Sequence, residues 1–122
     1  MNPEALHPFF HRRGDRQRLI LYLIAEGYSA PKLSRLTIAE LSAMNLPDEI
    51  MIYRDRVLDL LETQDQKAFV FVYPNGRVMG PTDFYRLVAQ TTERTLGHPL
   101  SHKQFAEYLR KSGKRGKANK TH

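Results

Sequence analysis

RLILYLIAEGYSAPKLSRLTIAEL, residues 18–41, contains two helix signals and the break between them. Leu19, Ile20, Leu23 and Ile24 recur at the spacing of one helical face, Asp15 stands where a cap belongs, and Gly27 supplies a stop. A turn at Pro31 then leads to a short helical stretch around Lys32 to Arg35. Thr37, with Glu40 three residues on, reads as a capping box for a helix over IAELSAM that Asn45 ends. Helices packed through short turns are therefore the expectation for this part of the chain.

Reading outward on the C-terminal side, LPDEIMIYRDRVLDLLETQ (46–64) places Ile50, Tyr53, Val57, Leu60 and Leu61 on one stripe, with Pro47 and Asp48 suited to a first turn. That predicts a helix of about four turns. The period then changes. KAFVFVYPNGRVM is rich in β-branched and aromatic residues, and Asn75-Gly76 favours a type I′ turn, so a hairpin is expected with strands at 68–73 and 77–79. After Gly80-Pro81, Thr82 or Asp83 caps a helix carrying Phe84, Leu87, Val88 and Thr91 that closes near Gly97. Ser101 caps a last helix with Phe105, Tyr108 and Leu109 inward, ended by Gly113.

On the N-terminal side, Pro3 and Pro8 break any helix, so residues 1–13 read as an irregular lead-in. At the other end, KRGKANKTH has no apolar residue larger than alanine and cannot bury enough to offset ordering, so 113–122 are expected to form a disordered basic tail. The division is then 1–13, a helical domain over 14–112, and the tail. The fold class is mainly α with one small β-hairpin.

With 122 residues, 26% charged and 41% hydrophobic, the chain suits one modest core. Its longest apolar run, Leu19 to Ala25, falls short of the roughly 18 residues that a membrane span needs. The first ten residues lack the pattern of a secretory signal, and there is no cysteine, so a cytoplasmic protein without disulfides or membrane partner is expected.

The net charge of +6 is unevenly placed. Arg110, Lys111, Lys114, Arg115, Lys117 and Lys120 follow one another with no acid between them. Removing those six from 19 basic residues leaves 13 against 13 acidic ones in the preceding chain, so the whole net charge sits at the end. Such a run suits a nucleic-acid backbone, where each neutralised phosphate releases counterion. His11, Arg12, Arg13, Arg16 and Arg18 form a second cluster, provided Asp15 does not neutralise it.

Individual candidates for chemistry are few. His102 stands alone in a first helical turn, without a carboxylate or second histidine at useful spacing. Among the other histidines, His7, His11, His98 and His122, only His7 and His11 have i, i+4 spacing, and Pro8 lies between them, so no metal site is expected. Tyr108 shares the apolar stripe of Phe105 and should pack with its hydroxyl at the edge of the core. PNGR is hairpin punctuation, since one glycine makes no nest of phosphate-binding amides.

The order of these elements resembles the catalytic domain of the tyrosine recombinases, the phage integrase family, over residues 14 to about 112. RLILYLIAEGYSAPKLSRLTIAEL is similar to that family's helix ending in T-G-x-R with the E-L and L-x-x-x-D-I that follow. QKAFVFVYPNGRVMGPTDFYRLV resembles its strand and following helix, and HPLSHKQFAEYLRKSG the segment around its H-x-x-R box. The resemblance implies a chemistry of two phosphate-holding arginines, a hairpin lysine, histidines and a tyrosine nucleophile. Here the first arginine position falls on Ser29, the nearby glutamate on Lys32, the box arginine on Phe105 and its neighbouring histidine on Ala106. Only His102 matches. The Met44 to Pro47 connection is too short for the lysine hairpin, and the chain stops before the nucleophile's place.

What the resemblance implies is a degenerate, truncated and non-catalytic member. The expected function is duplex DNA binding as a regulator or accessory factor of a phage or mobile element, with no cofactor. Backbone contacts would come from the basic ends, Arg12, Arg13, Arg16, Arg110, Lys111, Lys114, Arg115, Lys117 and Lys120, and base readout from Lys32, Arg35, Lys103 and Arg110, with His102 a further DNA-binding candidate as a phosphate contact. The alternative is a protein-interaction module, binding a partner or a second copy through an FVFVYP edge strand or a helix groove, with the tail incidental.

Overall fold

The computed structural model describes the backbone of residues 2–120 and the side chains of residues 2–112. A 3-10 helix, Pro3–Leu6, precedes α1 (His7–Phe10), α2 (Asp15–Ala25), α3 (Ala30–Ser34), α4 (Ile38–Ser42), α5 (Asp48–Asp59), α6 (Pro81–Leu96) and α7 (His102–Lys120). The chain is mainly helical. Among the described residues no helix is long and apolar enough to cross a membrane.

The six consecutive residues Leu19 to Ile24 are all buried, so α2 is covered on every side, as expected for a helix that is apolar all round. α5, α6 and α7 pack against it. Gly27 ends this segment in the left-handed region, φ 103°. The N-terminal cap is Gly14 rather than Asp15, and its N–H donates to Gln17 Oε1 at 3.4 Å. The box on α4 is made as expected: Thr37 N–H donates to Glu40 Oε1 (3.0 Å), and Glu40 N–H to Thr37 Oγ1 (3.2 Å). The helix closes at Ser42, ahead of Asn45.

The lead-in is not irregular. Pro3 and Pro8 occupy first-turn positions, where the fixed φ suits a helix and the missing N–H would have had no partner. Leu6, Phe9 and Phe10 are core residues. The Phe9 ring meets Phe105 edge-on at 5.1 Å and Tyr108 at 6.0 Å, and Phe10 meets Tyr53 at 5.8 Å. A division at residue 14 therefore cuts through one continuous core.

The hairpin is corrected too. In place of strands there are two isolated bridges, Thr37 with Phe69 and Val72 with Val78. The backbone groups of 69–73 are split between two partners: Val70 N–H donates to the Leu36 carbonyl (2.9 Å), while Phe71 O accepts from Met79 N–H (2.9 Å) and Tyr73 N–H donates to Arg77 O (2.8 Å). Neither pairing runs long enough to become a ladder. Gly76 has φ 86° but Asn75 is not in the left-handed region, so the turn is not type I′.

α5 buries Ile50, Tyr53 and Val57 but ends at Asp59, so Leu60 leaves the stripe and is 82% exposed. α6 is capped by Gly80 rather than by Thr82 or Asp83; the Gly80 N–H donates to Asp83 Oδ2 at 2.8 Å, and the helix closes on Gly97 at φ 87°. Between α6 and α7 the chain is pinned by Thr92, fully buried, whose Oγ1 donates to Val88 O and accepts from Leu100 N–H, both at 2.8 Å. Thr92→Val keeps the shape and orphans that amide. It should destabilise by about 1–3 kcal/mol in urea unfolding.

α7 opens with a reciprocal cap, Ser101 N–H to Gln104 Oε1 (2.9 Å) and Gln104 N–H to Ser101 Oγ (3.2 Å). Its backbone continues past Gly113, where the sequence reading ends it, to Lys120. A mid-helix glycine costs only about 1 kcal/mol against alanine, and lysine, arginine and alanine on either side favour helix. The disorder expected of 113–122 concerns residues whose side chains lie outside the described ones.

Candidate nucleic-acid interface

The turn from α1 to α2 sets out the first basic cluster. Arg13 N–H donates to Phe10 O (3.0 Å), and Arg12 takes φ 59°, left-handed backbone that costs a non-glycine residue about 1–2 kcal/mol. Arg12 is exposed. Asp15 pairs with Arg56 at 3.4 Å, and no ion pair joins it to Arg12, Arg13 or Arg16.

Two arginines of this cluster serve the fold. Arg16 Nη1 donates to Val72 O at 2.9 Å with its guanidinium 5.5 Å from the Tyr73 ring centre. Arg18 reaches Arg13 O (2.9 Å) and the Tyr53 hydroxyl (3.2 Å), between the Phe10 and Tyr53 rings. Arg16 is thus held to the 69–73 segment rather than offered to solvent.

Arg13 turns inward. Its Nε and Nη2 are buried and have no hydrogen-bond partner. Other atoms of Arg13 line a cavity of about 210 Å³ between the His11–Arg13 turn and α6, lined also by Thr91, Arg94 and Thr95. Burial, and then the nearby Arg94 charge, lower the Arg13 pKa. Thr91 is 2% exposed, and its hydroxyl has no partner. Arg94 did not stand out in the sequence, and Thr91 only as part of the α6 stripe, because the packing of α1 on α6 is what brings them to Arg13.

Lys103, Arg110 and Lys111 are exposed on α7, and among the described residues no ion pair engages them. Phe9 of α1 sits against Phe105 and Tyr108 of α7, while the His11–Arg13 turn itself lies against α6. Lys114, Arg115, Lys117 and Lys120 have side chains outside the described residues. Lys32 and Arg35 belong to α3 and its C-terminal cap; Lys32 Nζ lies 5.0 Å from the Tyr28 ring centre.

The box positions have structural duties. Ser29 caps α3, its Oγ accepting from Lys32 N–H at 3.3 Å, and Phe105 is fully buried. Tyr108 meets Phe9 edge-on but is 40% exposed, more open than its stripe suggested.

His102 is half-buried, 4.8 Å from the Tyr85 ring, with Nε2 buried and unpartnered. Burial lowers its pKa, opposed by the Phe84 carbonyl. A histidine whose folded pKa lies below its ordinary 6.5 is bound more tightly by protons in the unfolded chain. Its contribution to stability is therefore full above 6.5 and is lost as pH falls from there through the folded pKa. Melting temperature should drop across that window, and His102→Gln should flatten the slope.

Compared with protein-family models, curated proteins and solved structures, the chain finds no match.

Proposed function

We propose that this chain binds duplex DNA without cleaving it, as a regulator or accessory factor of a phage or mobile element, on a scaffold resembling a degenerate tyrosine recombinase catalytic domain. The observation that carries the reading is the placement of charge. The whole net charge of +6 belongs to residues 110–122, and all of its described part lies on one helix, with Arg110 and Lys111 exposed. Phosphate contacts of this kind supply affinity and orientation, not sequence choice. Lys32, Arg35, Lys103 and Arg110 are exposed and are the base readers of this reading.

Ser29 and Phe105, at the two arginine positions of the resembled family, favour binding without chemistry. A nicked suicide substrate that traps covalent intermediates should give no protein–DNA adduct. Gel-shift titration with duplex DNA at several salt concentrations tests the binding itself, and weak or salt-insensitive binding would refute it.

A second reading, a protein-interaction module, has its own observation. Ile52 and Leu60 of the α5 region and Phe69 of the bridge segment are large apolar residues left exposed. A chain with the basic end neutralised that keeps a protein partner while losing DNA would favour it.

A further inference from the structure

We infer that Arg77 and Arg86 form a phosphate-contacting surface for duplex DNA, placed on the folded domain rather than on the basic end of α7. The inference rests on the DNA reading and adds residues to it. Neither arginine stands out in the sequence, where Arg77 belongs to a turn and Arg86 lies outside every basic run.

Arg77 is oriented by its surroundings. Gly76 N–H donates to Tyr73 O (2.8 Å) and Arg77 N–H to Asn75 Oδ1 (3.0 Å), which fixes the root of the side chain. Its guanidinium then lies 4.4 Å from the Tyr73 ring centre, and Arg16, tied to Val72 O, lies 5.5 Å from the same centre. A stacked guanidinium is set before any ligand arrives, so less side-chain freedom is lost on binding. Arg77 Nη1 also meets Asp83 Oδ2 at 3.5 Å. The Gly80 N–H, then the Tyr73 hydroxyl and the charges of Arg77 and Arg86, hold the Asp83 carboxyl below its usual range. That carboxylate lies underneath: its side chain is 11% exposed against 59% for Arg77, so what a partner meets is the guanidinium. Among the described residues no hydrogen bond engages Arg77 Nε or Nη2, and a fork of this kind fits the paired oxygens of a phosphodiester.

Arg86 extends the surface toward α7. It is exposed, and among the described residues it has no hydrogen bond or ion pair. At about 100° per residue it stands on α6 between Tyr85 and Asp83. Tyr85, itself exposed, meets His102 at 4.8 Å, which sets the first turn of α6 against the first turn of α7 and its exposed Lys103. Cations therefore follow in the order Arg77, Arg86, Lys103 toward the helix that carries Arg110 and Lys111. Two arginines against Asp83 leave one positive charge over, and Arg16 makes it two. Glu93, the next acid on the exposed side of α6, is two turns further along, about 10 Å. Phosphate contacts from such fixed positions orient a duplex.

The test is duplex affinity of the full chain, by fluorescence anisotropy at one fixed salt concentration. Arg77→Gln and Arg86→Gln should each weaken binding about threefold to tenfold, with the losses multiplying in the double variant. Arg77→Lys keeps the charge without the planar stack and should restore only part of the loss. Lys67→Gln removes an equal charge beyond the other edge of the 69–73 segment, where Ile38 and Ala39 pair, and should cost less than about twofold. Arg86 has no hydrogen bond to lose, so its variant should keep the parent's circular dichroism and melting temperature. If both glutamine variants bind like the parent, or Lys67→Gln costs as much as they do, the surface is overturned while the DNA reading stands. A parent chain that fails to bind duplex refutes that reading and this surface with it. A glutamate-rich peptide that binds the parent more tightly than duplex does, and loses affinity in the same variants, assigns the patch to an acidic protein segment and overturns the nucleic-acid assignment.

Discussion

Phe105→Arg is expected to leave the protein largely unfolded at 25 °C. The ring is fully buried and packed edge-on against Phe9, between the N-terminal helices and α7. Truncation to alanine at such a site costs about 3–5 kcal/mol through lost burial and the cavity left behind. Arginine adds the burial of a charge with no carboxylate partner, several kcal/mol more. Against a total stability of about 5–15 kcal/mol for a small domain, that removes most of the margin. Circular dichroism and urea unfolding would show it.

Ser29→Arg, at the other arginine position of the resembled family, sits on the surface and forfeits only a cap, about 0.5–2 kcal/mol. It should fold. The two substitutions together therefore separate a core position from a surface one. A Phe105→Arg chain with an unchanged melting temperature would mean that position 105 does not face the core.

The second large effect is the salt dependence of DNA binding. With six phosphates neutralised by Arg110, Lys111, Lys114, Arg115, Lys117 and Lys120, the log–log slope is about −5, and a rise from 50 to 200 mM salt should cost roughly 10³-fold in affinity. Changing Lys114, Arg115, Lys117 and Lys120 to glutamine removes four of those contacts and should leave a slope near −2, roughly tenfold over the same range. A slope unaltered by the quadruple change would place the phosphate contacts elsewhere.

Much of the helical framework was legible before any coordinates. The apolar spacing of Leu19 to Ile24, the Thr37 and Glu40 box, the Gly97 stop and the Ser101 cap are local signals, made by residues within four positions of one another, and each is realised. Local signals misled where a longer-range partner competed. The FVFVY stretch has every strand propensity, but its hydrogen bonds are divided between Leu36 on one side and Arg77 and Met79 on the other. Pro3 and Pro8 looked like breakers because a proline reads alike whether it opens a helix or interrupts one.

The candidate interface divides in the same way. Sequence alone determined the segregation of charge, because a sum over residues needs no fold: the end of the chain is basic and the rest is neutral. Tertiary structure alone decided which arginines are free. It spends Arg16 and Arg18 on the carbonyls of Val72 and Arg13, takes Asp15 for Arg56, and leaves Arg13 facing Arg94 across a cavity. Those partners lie as far as 81 positions apart, Arg13 to Arg94. No periodicity or motif reports a contact across that span, because it forms only when burial of Phe9, Phe105 and the α2 core draws the helices together.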